Sequence, residues 1–567
     1  MKDCDGLKLH PLFHSPLAAL VPPLVLTLCV WLWAVDVLNW DEWTIWMGML
    51  EKLQDGTFAL PDLFSQQNEQ RNLAARLFGL ALLPVSGLNR LPECLLNIVL
   101  AGAACLCAVS LYHRTMGEGT PKAPTLAFSL LAFSLLQWES FSVGINSSVL
   151  LPPLGMLAGA ALVAGPALTW GRLTAMILMG VVPSFCFVNG LFYWLCLAPA
   201  VALSSREGRA AKTAVFLLIG AAMWVLYFYG YSAPGHHPSP LSSLLRPLQT
   251  IGYFLAYLGG ALMGDKYLLP LAILAGAAGL WQLWPPLRDA LRNPGRFRTL
   301  APWLGVAAFS LLSAGATALG RSGFGPAHAL ESRYASFSTP LWMTIAALCA
   351  MRWRTAPPGR STRAVLACCL ALFLLGSGLS AVALRNRVPR LMAAREELFR
   401  LTDPRRLEAV FPDPAYVALK LPLLLERRLG PYRDIPPLAG AQVESAPAGG
   451  FSLRPKMGID GRVCGHLLTG SAKGQAGAAV LLAVSGRAAA VGRLEADGSF
   501  ALFVPAAALP EGDITLKAFV LRPDGRSFAP LAPMDPMNPM NPMNGLALAN
   551  IHCPPPPLNV EKYFHVR

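Results

Sequence analysis

The chain has 567 residues, of which 54% are hydrophobic and only 14% charged, against about a quarter charged in ordinary soluble domains. Mean hydropathy is +0.47. The formal charge of +14 does not point to nucleic acid, because Lys and Arg sit mostly in short loops between apolar runs and form no continuous basic face for a row of phosphates.

In chain order, Leu17–Val35 follows Lys2 and Lys8, lacks a small-residue cleavage pattern and runs into Asp36 and Asp41. It reads as an uncleaved first span rather than a signal peptide. Apolar runs near the length of a membrane crossing are expected at 16–35, 91–112, 123–138, 148–168, 172–187, 190–204, 212–230, 266–284, 300–319, 336–351 and 364–384, eleven in all. With a cytoplasmic N-terminus, the inside loops hold His113, Arg114 and Lys122; Arg172; Arg206, Arg209 and Lys212; Arg288, Arg292, Arg296 and Arg298; and Arg352, Arg354, Arg360 and Arg363. That is the asymmetry of the positive-inside rule. It requires that 72–88, broken by Pro84 and Gly87, and 249–264 lie at the outer interface without crossing.

An odd number of spans places everything after residue 385 outside. Residues 386–435 look helical, at Ala394–Leu401 and Val417–Leu429. Residues 450–530 turn to short β-rich runs (Val480–Val484, Phe500–Val504, Ile514–Val520) separated by Gly, Asp-Gly and Pro-Asp-Gly, which suggests a small β-sandwich. Pro533–Asn544 repeats Pro-Met-Asn/Asp units and suggests a disordered spacer. The expected fold is therefore mainly α: a polytopic membrane bundle over 1–385, a helical segment over 386–440, a β-sandwich-like domain over 441–532, and a spacer and tail over 533–567.

Twelve cysteines do not make a disulfide framework. Cys29, Cys94, Cys105, Cys107, Cys186, Cys196, Cys349, Cys368 and Cys369 lie in apolar runs and read as small buried hydrophobes. Cys464 and Cys553 could pair if their part of the chain faces an oxidising compartment. No CxxC or His/Cys cluster suggests zinc.

Four polar stretches fall on the expected outer side. Asn39-Trp40-Asp41-Glu42-Trp43 offers a carboxylate where water is partly excluded, able to take a proton from an attacking hydroxyl, or else marks an interfacial tryptophan belt. Gln66-Gln67-Asn68-Glu69-Gln70-Arg71 is either a solvated loop or a row of hydrogen-bonding groups. Gln137-Trp138-Glu139-Ser140 through Asn146 sets a carboxylate beside an aromatic face, which suits a sugar ring. Gly320-Arg321-Ser322-Gly323-Phe324-Gly325, continuing to Glu331-Ser332-Arg333-Tyr334, carries two arginines against the positive-inside trend. An arginine there suits a phosphate, and glycines let backbone approach it. Asn189 and the loop 227–237, including Tyr229 and His236, add aromatic and hydrogen-bonding groups. Adjacent His236 and His237 point apart unless the backbone turns, which disfavours metal ligation.

Together, acids after spans one and three and arginines after span nine suit a phosphate-bearing lipid donor and a hydroxyl acceptor. The ordered set Asp41-Glu42-Trp43, Asn68-Glu69-Gln70-Arg71, Gln137-Trp138-Glu139-Ser140, Asn189-Gly190, Gly320–Gly325 and Ser332-Arg333-Tyr334, with a span ending in Tyr112-His113-Arg114, resembles the GT-C superfamily of polyprenyl-phosphate-sugar-dependent glycosyltransferases. Its members include protein O-mannosyltransferases and the aminoarabinose transferase of lipid A, and the likeness is to a bacterial branch of such proteins. It covers about residues 16–430 and departs from the branch's pattern at Gln70 and Ser140.

The resemblance implies an enzyme of the bacterial inner membrane, N-terminus cytoplasmic and C-terminal domain periplasmic. It would transfer a sugar from a polyprenyl-phosphate donor to a glycan, lipid or protein acceptor, with inversion. It implies Asp41 as base, with Glu42 competing. Arg321 and Arg333 would stabilise the departing phosphate. Asn68, Glu69, Arg71, Trp138, Glu139, Asn146, Asn189, Tyr229, His236 and Tyr334 would shape the pocket. A divalent metal serves some members, but no Asp-rich cage suggests one here. A transporter or flippase of lipid-linked saccharide is the competing reading, disfavoured by the lack of an inverted repeat and of mid-membrane charges. A non-catalytic envelope assembly protein is the third.

Overall fold

The computed structural model describes residues 16–116, 123–165, 167–204, 207–235, 238, 240–353, 358–400, 403–436, 442–457, 463–484, 487–505, 515–535 and 538–542. The helices are α1 (Val21–Trp33), α2 (Asp41–Gln54), α3 (Leu73–Ser86), α4 (Leu91–Met116), α5 (Ala123–Ala132), α6 (Trp138–Ser142), α7 (Ser147–Val163), α8 (Trp170–Ser184) and α9 (Phe192–Ser204). They continue as α10 (Arg209–Phe228), α11 (Pro240–Leu244), α12 (Pro247–Gly259), α13 (Leu269–Arg292), α14 (Pro294–Arg321), α15 (Ser332–Trp353), α16 (Arg360–Arg400) and α17 (Pro414–Glu426).

Seven helical segments among the described residues are long and apolar enough to cross a membrane: Leu91–Met116, Gly144–Val163, Arg209–Phe228, Lys266–Arg292, Pro294–Phe324, Ser332–Trp353 and Arg360–Phe399. The chain is thus compatible with a multi-pass membrane protein, but the expected eleven spans are not all present as long helices. The run 16–35 yields an apolar helix of only Leu17–Trp33, and 190–204 gives Val188–Ser204. The run 123–138 breaks after α5, because the Ser134 hydroxyl accepts the Leu136 N–H at 3.1 Å and starts a new 3-10 turn. The run 172–187 ends at Ser184, one residue past Pro183. The two stretches not expected to cross form α3 and α12, of 14 and 13 residues.

The chain divides into two compact units. The first comprises 1–34, 59–81 and 91–386. Its core gathers Tyr193, Trp194, Phe216 and Trp303 with small residues such as Ala160 and Ala314. Glycines allow the closest crossings. A Cβ at Gly259 would strike the Ala272 carbonyl, and one at Gly276 the Leu255 carbonyl, so α12 and α13 touch backbone to backbone.

The second unit comprises 35–58, 82–90 and 387–567. It is discontinuous, unlike the linear partition at 385 expected from sequence, because the turn after α1 is tied to residues beyond 387. Trp40 N–H donates to the Val410 carbonyl at 2.6 Å, and Gly430 N–H to that of Gly87 at 2.7 Å. Arg433 Nη1 meets Asp36 Oδ2 at 2.8 Å, and Lys420 pairs with Glu51.

Among its described residues this unit also holds nine strands: β1 (Gln442–Val443), β2 (Gly449–Met457), β3 (Val463–Ala472), β4 (Ala479–Val484), β5 (Arg487–Arg493), β6 (Ser499–Pro505), β7 (Leu516–Leu521), β8 (Ser527–Asp535) and β9 (Asn538–Pro542). The expected sandwich is instead one near-closed sheet, ordered β5-β4-β7-β8-β2-β3-β6 with β1 and β9 on β8. The alternating runs put Phe451, Leu468, Val480, Leu482, Leu502 and Val520 into a common interior. Gly498 and Gly525, at φ 78° and 65°, make the Asp-Gly turns. Part of the expected spacer is ordered, since β9 pairs antiparallel with β8. The Cys464–Cys553 pairing falls on side chains outside the described residues. Of the nine cysteines in apolar runs, all free, five are buried as expected, whereas Cys29, Cys107 and Cys349 are half-buried and Cys368 is exposed.

Candidate functional site

In the first unit, three of the four polar stretches picked out by sequence come together with the start of the 227–237 loop. The hairpin 66–71 closes on a Gln67–Gln70 bridge, with Asn68 at its tip at φ 51°. Gln66 Nε2 donates to the Asn68 carbonyl at 2.6 Å. Arg71 reaches the end of α10: Nε and Nη2 donate to the Tyr227 carbonyl at 2.9 and 2.6 Å, and Nη2 also to Tyr229 at 2.8 Å. Nη1 takes the Phe64 carbonyl at 2.7 Å. A helix end leaves its last carbonyls without partners, and Arg71 supplies them, so all three of its nitrogens are engaged by backbone. Tyr229 contributes its carbonyl, while its side chain is 81% exposed.

Glu69 turns the other way. Its side chain forms an ion pair with Arg321, the last residue of α14, where a cation is favoured by the helix dipole. The Glu69 carbonyl accepts the Tyr227 hydroxyl at 2.7 Å. Arg321 Nη1 also donates to the Tyr334 hydroxyl at 2.6 Å. The guanidinium groups of Arg321 and Arg333 both lie over the Tyr334 ring, 5.8 and 5.7 Å from its centroid. Tyr334 itself is buried and stacks on Tyr257 at 5.3 Å.

Glu139 joins the same network from α6. Its Oε2 accepts the Arg333 N–H at 3.2 Å, capping the start of α15 with a negative charge. Its own N–H donates to the Ser332 hydroxyl at 3.1 Å, and Asn146 Nδ2 donates to its carbonyl at 2.7 Å. Trp138, half-buried, precedes it as the first residue of α6. Buried Asn97 of α4 braces this turn from beneath through the carbonyls of Ser140, Val143 and Gly144 at 2.9, 3.1 and 3.3 Å. Asn189 lies apart from these contacts. It is 4% exposed, in the 3-10 turn before α9, and its Nδ2 has no hydrogen-bond partner. His236 lies outside the described residues.

Several members of the cluster were not singled out by sequence. Lys266 pairs with Glu331 at 2.6 Å. Tyr253 OH meets His328 Nδ1 at 3.1 Å, and the His328 ring lies 5.9 Å from that of Tyr334. Burial pushes His328 down to about 4, with Arg321, Arg333 and Lys266 acting the same way and Glu331 opposing. Burial alone would raise Glu331, but the charge and hydrogen bond of Lys266, with Arg333 and His328, hold it below the usual carboxylate range. Lys266, beside Asp265, and His328, three residues before Glu331, form no spacing motif of their own, and sequence passed over them. Around Tyr334 the cluster sets Arg321, Arg333 and Lys266 against Glu69, Glu139 and Glu331, with Arg71 turned to backbone, so an anionic ligand of Arg321 would compete with Glu69.

The remaining two candidates stand in the second unit, at the start of α2. Glu42 is 1% exposed; its Oε1 accepts from Arg90 Nε and Nη2 at 3.1 and 2.6 Å. Its Oε2 takes the Asn39 N–H at 2.8 Å. Asp41 is half-buried as the first residue of α2. The two adjacent acids thus differ: Glu42 is committed to holding the turn, and Asp41 is the more accessible. Among the described residues no three His, Cys, Asp or Glu side chains converge on a metal-sized site. No family model, curated protein or solved structure matches the chain.

Proposed function

We propose that the protein is an integral membrane glycosyltransferase that moves a sugar from a polyprenyl-phosphate donor to a hydroxyl of a cell-envelope glycan, lipid or protein. The reaction takes place on the periplasmic face of the bacterial inner membrane, the side opposite the basic loops. The observation that carries the reading is the gathering of Arg321 and Arg333 over one tyrosine ring, 5.8 and 5.7 Å from its centroid. Two guanidinium groups gathered on one tyrosine ring offer cationic forks to an anion, and a phosphate suits their planar geometry.

In this reading the acceptor oxygen attacks the anomeric carbon as its proton passes to Asp41. The bond from that carbon to the lipid-phosphate oxygen breaks, and the electron pair leaves with the phosphate. One displacement inverts the anomeric centre. The arginines stabilise the charge that grows on the leaving phosphate, a contribution worth about 3 to 4 kcal/mol per well-placed donor. Glu42 is set aside as base, because its carboxylate is already held by Arg90 and the Asn39 N–H.

The test is transfer, or hydrolysis, of radiolabelled polyprenyl-phosphate sugars by the purified protein, comparing wild type with Asp41→Asn and Arg321→Ala. Cleavage that both variants abolish is the expected result. Movement of intact donor across vesicles without cleavage would sink the reading in favour of a flippase. An unaltered envelope phenotype in both variants would favour an assembly protein. Single cysteines at positions 62 and 325 should react with an impermeant reagent from the periplasmic side.

A further inference from the structure

Trp40 has φ 48° and ψ −118°, a conformation that glycine enters freely and bulky side chains rarely adopt. The turn around it is fixed from several directions. Trp40 N–H donates to the Val410 carbonyl at 2.6 Å, its carbonyl accepts the Trp43 N–H at 3.0 Å, and the Asn39 carbonyl accepts the Glu42 N–H at 3.0 Å. Trp43 Nε1 donates to the Leu38 carbonyl at 3.0 Å. Glu42, pinned by Arg90, returns to the Asn39 N–H at 2.8 Å. Strained backbone persists where its surroundings over-determine it, and such places cluster at functional sites.

The strain has a visible product. Trp43 and Trp46 are 0% and 1% exposed, whereas the Trp40 side chain is 50% exposed, immediately before Asp41. An interfacial anchor also shows an indole, but a relaxed backbone displays one equally well, so anchoring does not account for the conformation. An exposed indole on a fixed backbone, beside a half-buried carboxylate, is suited to stack on the apolar C–H face of a sugar ring with large contact area.

We propose that Trp40 is a positioning residue whose indole takes the C–H face of a saccharide ring beside Asp41; this rests on the glycosyl-transfer reading. The sugar can belong to the donor or to the acceptor, and the two are separated by which KM responds.

The experiment measures kcat and both KM values for wild type, Trp40→Gly and Trp40→Phe, using polyprenyl-phosphate mannose, glucose, galactose or N-acetylglucosamine and an envelope-glycan extract. Glycine accommodates the backbone, so Trp40→Gly should melt at or above the wild-type temperature. It should raise one KM about tenfold, with kcat within about threefold, and Trp40→Phe should recover most of that loss. A raised donor KM assigns the stacked ring to the donor, and a raised acceptor KM to the acceptor. If wild type transfers sugar and Trp40→Gly leaves both KM values within twofold, this inference falls and glycosyl transfer stands. If wild type cleaves no donor, both fall.

Discussion

Arg90 and Glu42 meet through two guanidinium nitrogens on one carboxylate oxygen, at 3.1 and 2.6 Å, with side chains only 3% and 1% exposed. Both partners have given up their hydration, so removing either strands a buried charge. Arg90→Ala or Glu42→Ala should therefore cost about 3 to 5 kcal/mol, while replacing both with methionine restores most of it. Thermal melts of the detergent-purified protein read this out, and an Arg90→Ala variant that melts like wild type would contradict it.

On the glycosyl-transfer proposal Arg321 holds the leaving phosphate; in the structure it rests between Glu69 and Tyr334. Arg321→Ala should lower kcat/KM by about 10² to 10³. Lysine, a point charge without the planar fork, should recover only a small part. Tyr334→Phe removes one hydrogen bond to a charged group and should lower activity roughly tenfold while leaving the fold intact. Steady-state transfer kinetics check all three, and a fully active Arg321→Ala would remove the arginine from the chemistry.

His328 titrates at about 4 in the folded protein, down from 6.5, chiefly through burial. Between those values the unfolded chain binds a proton that the folded one does not, so stability falls as pH drops from 6.5 to 4. Glu331, depressed below its ordinary 4.5, adds a further loss as it protonates at lower pH. His328→Asn should flatten the upper part of this slope by about 1 to 2 kcal/mol. Melting temperature against pH for the two proteins measures it; parallel curves would count against the assignment.

At the crossing of α12 and α13, Gly276→Ala puts a methyl group against the Leu255 carbonyl, and Gly259→Ala does the same to Ala272. Neither obstacle is the tip of a flexible side chain, so the helices must separate. Each change should cost about 1 to 3 kcal/mol. A fall in melting temperature is the expected result, and an unchanged melt would mean that the crossing is looser than described.

The long apolar helices were legible because an uninterrupted apolar run such as 91–112 has few alternatives to a helix. Strands β4, β6 and β7 were legible from their apolar runs and Asp-Gly turns. What misled was local capping: Ser134 ends a helix that hydropathy alone would carry to Trp138. The union of the strands into one sheet was invisible because parallel pairing of β2 with β8 joins residues about 80 positions apart in sequence, Gly449 to Leu531 for one.

At the candidate site, sequence picked out Arg321, Arg333, Glu69 and Glu139 because charge in an apolar chain is conspicuous. It could not say which charge does what. Arg71 and Arg321 look alike as letters, yet one fills the orphan carbonyls of α10 and the other meets a carboxylate and a phenol. Asp41 and Glu42 are neighbours, and only Arg90 separates their roles.

Asp36 finds Arg433 only 397 positions later in the chain. At about 5 to 20 residues per second of synthesis, that gap amounts to roughly 20 to 80 seconds. During that interval the Glu42–Arg90 pair can form, but the Trp40 N–H has no Val410 carbonyl to receive it and Asp36 has no Arg433. The turn beside Asp41 therefore leaves the ribosome well before the residues that complete it. A chain cut short before residue 410 still lacks the contact that shapes this corner.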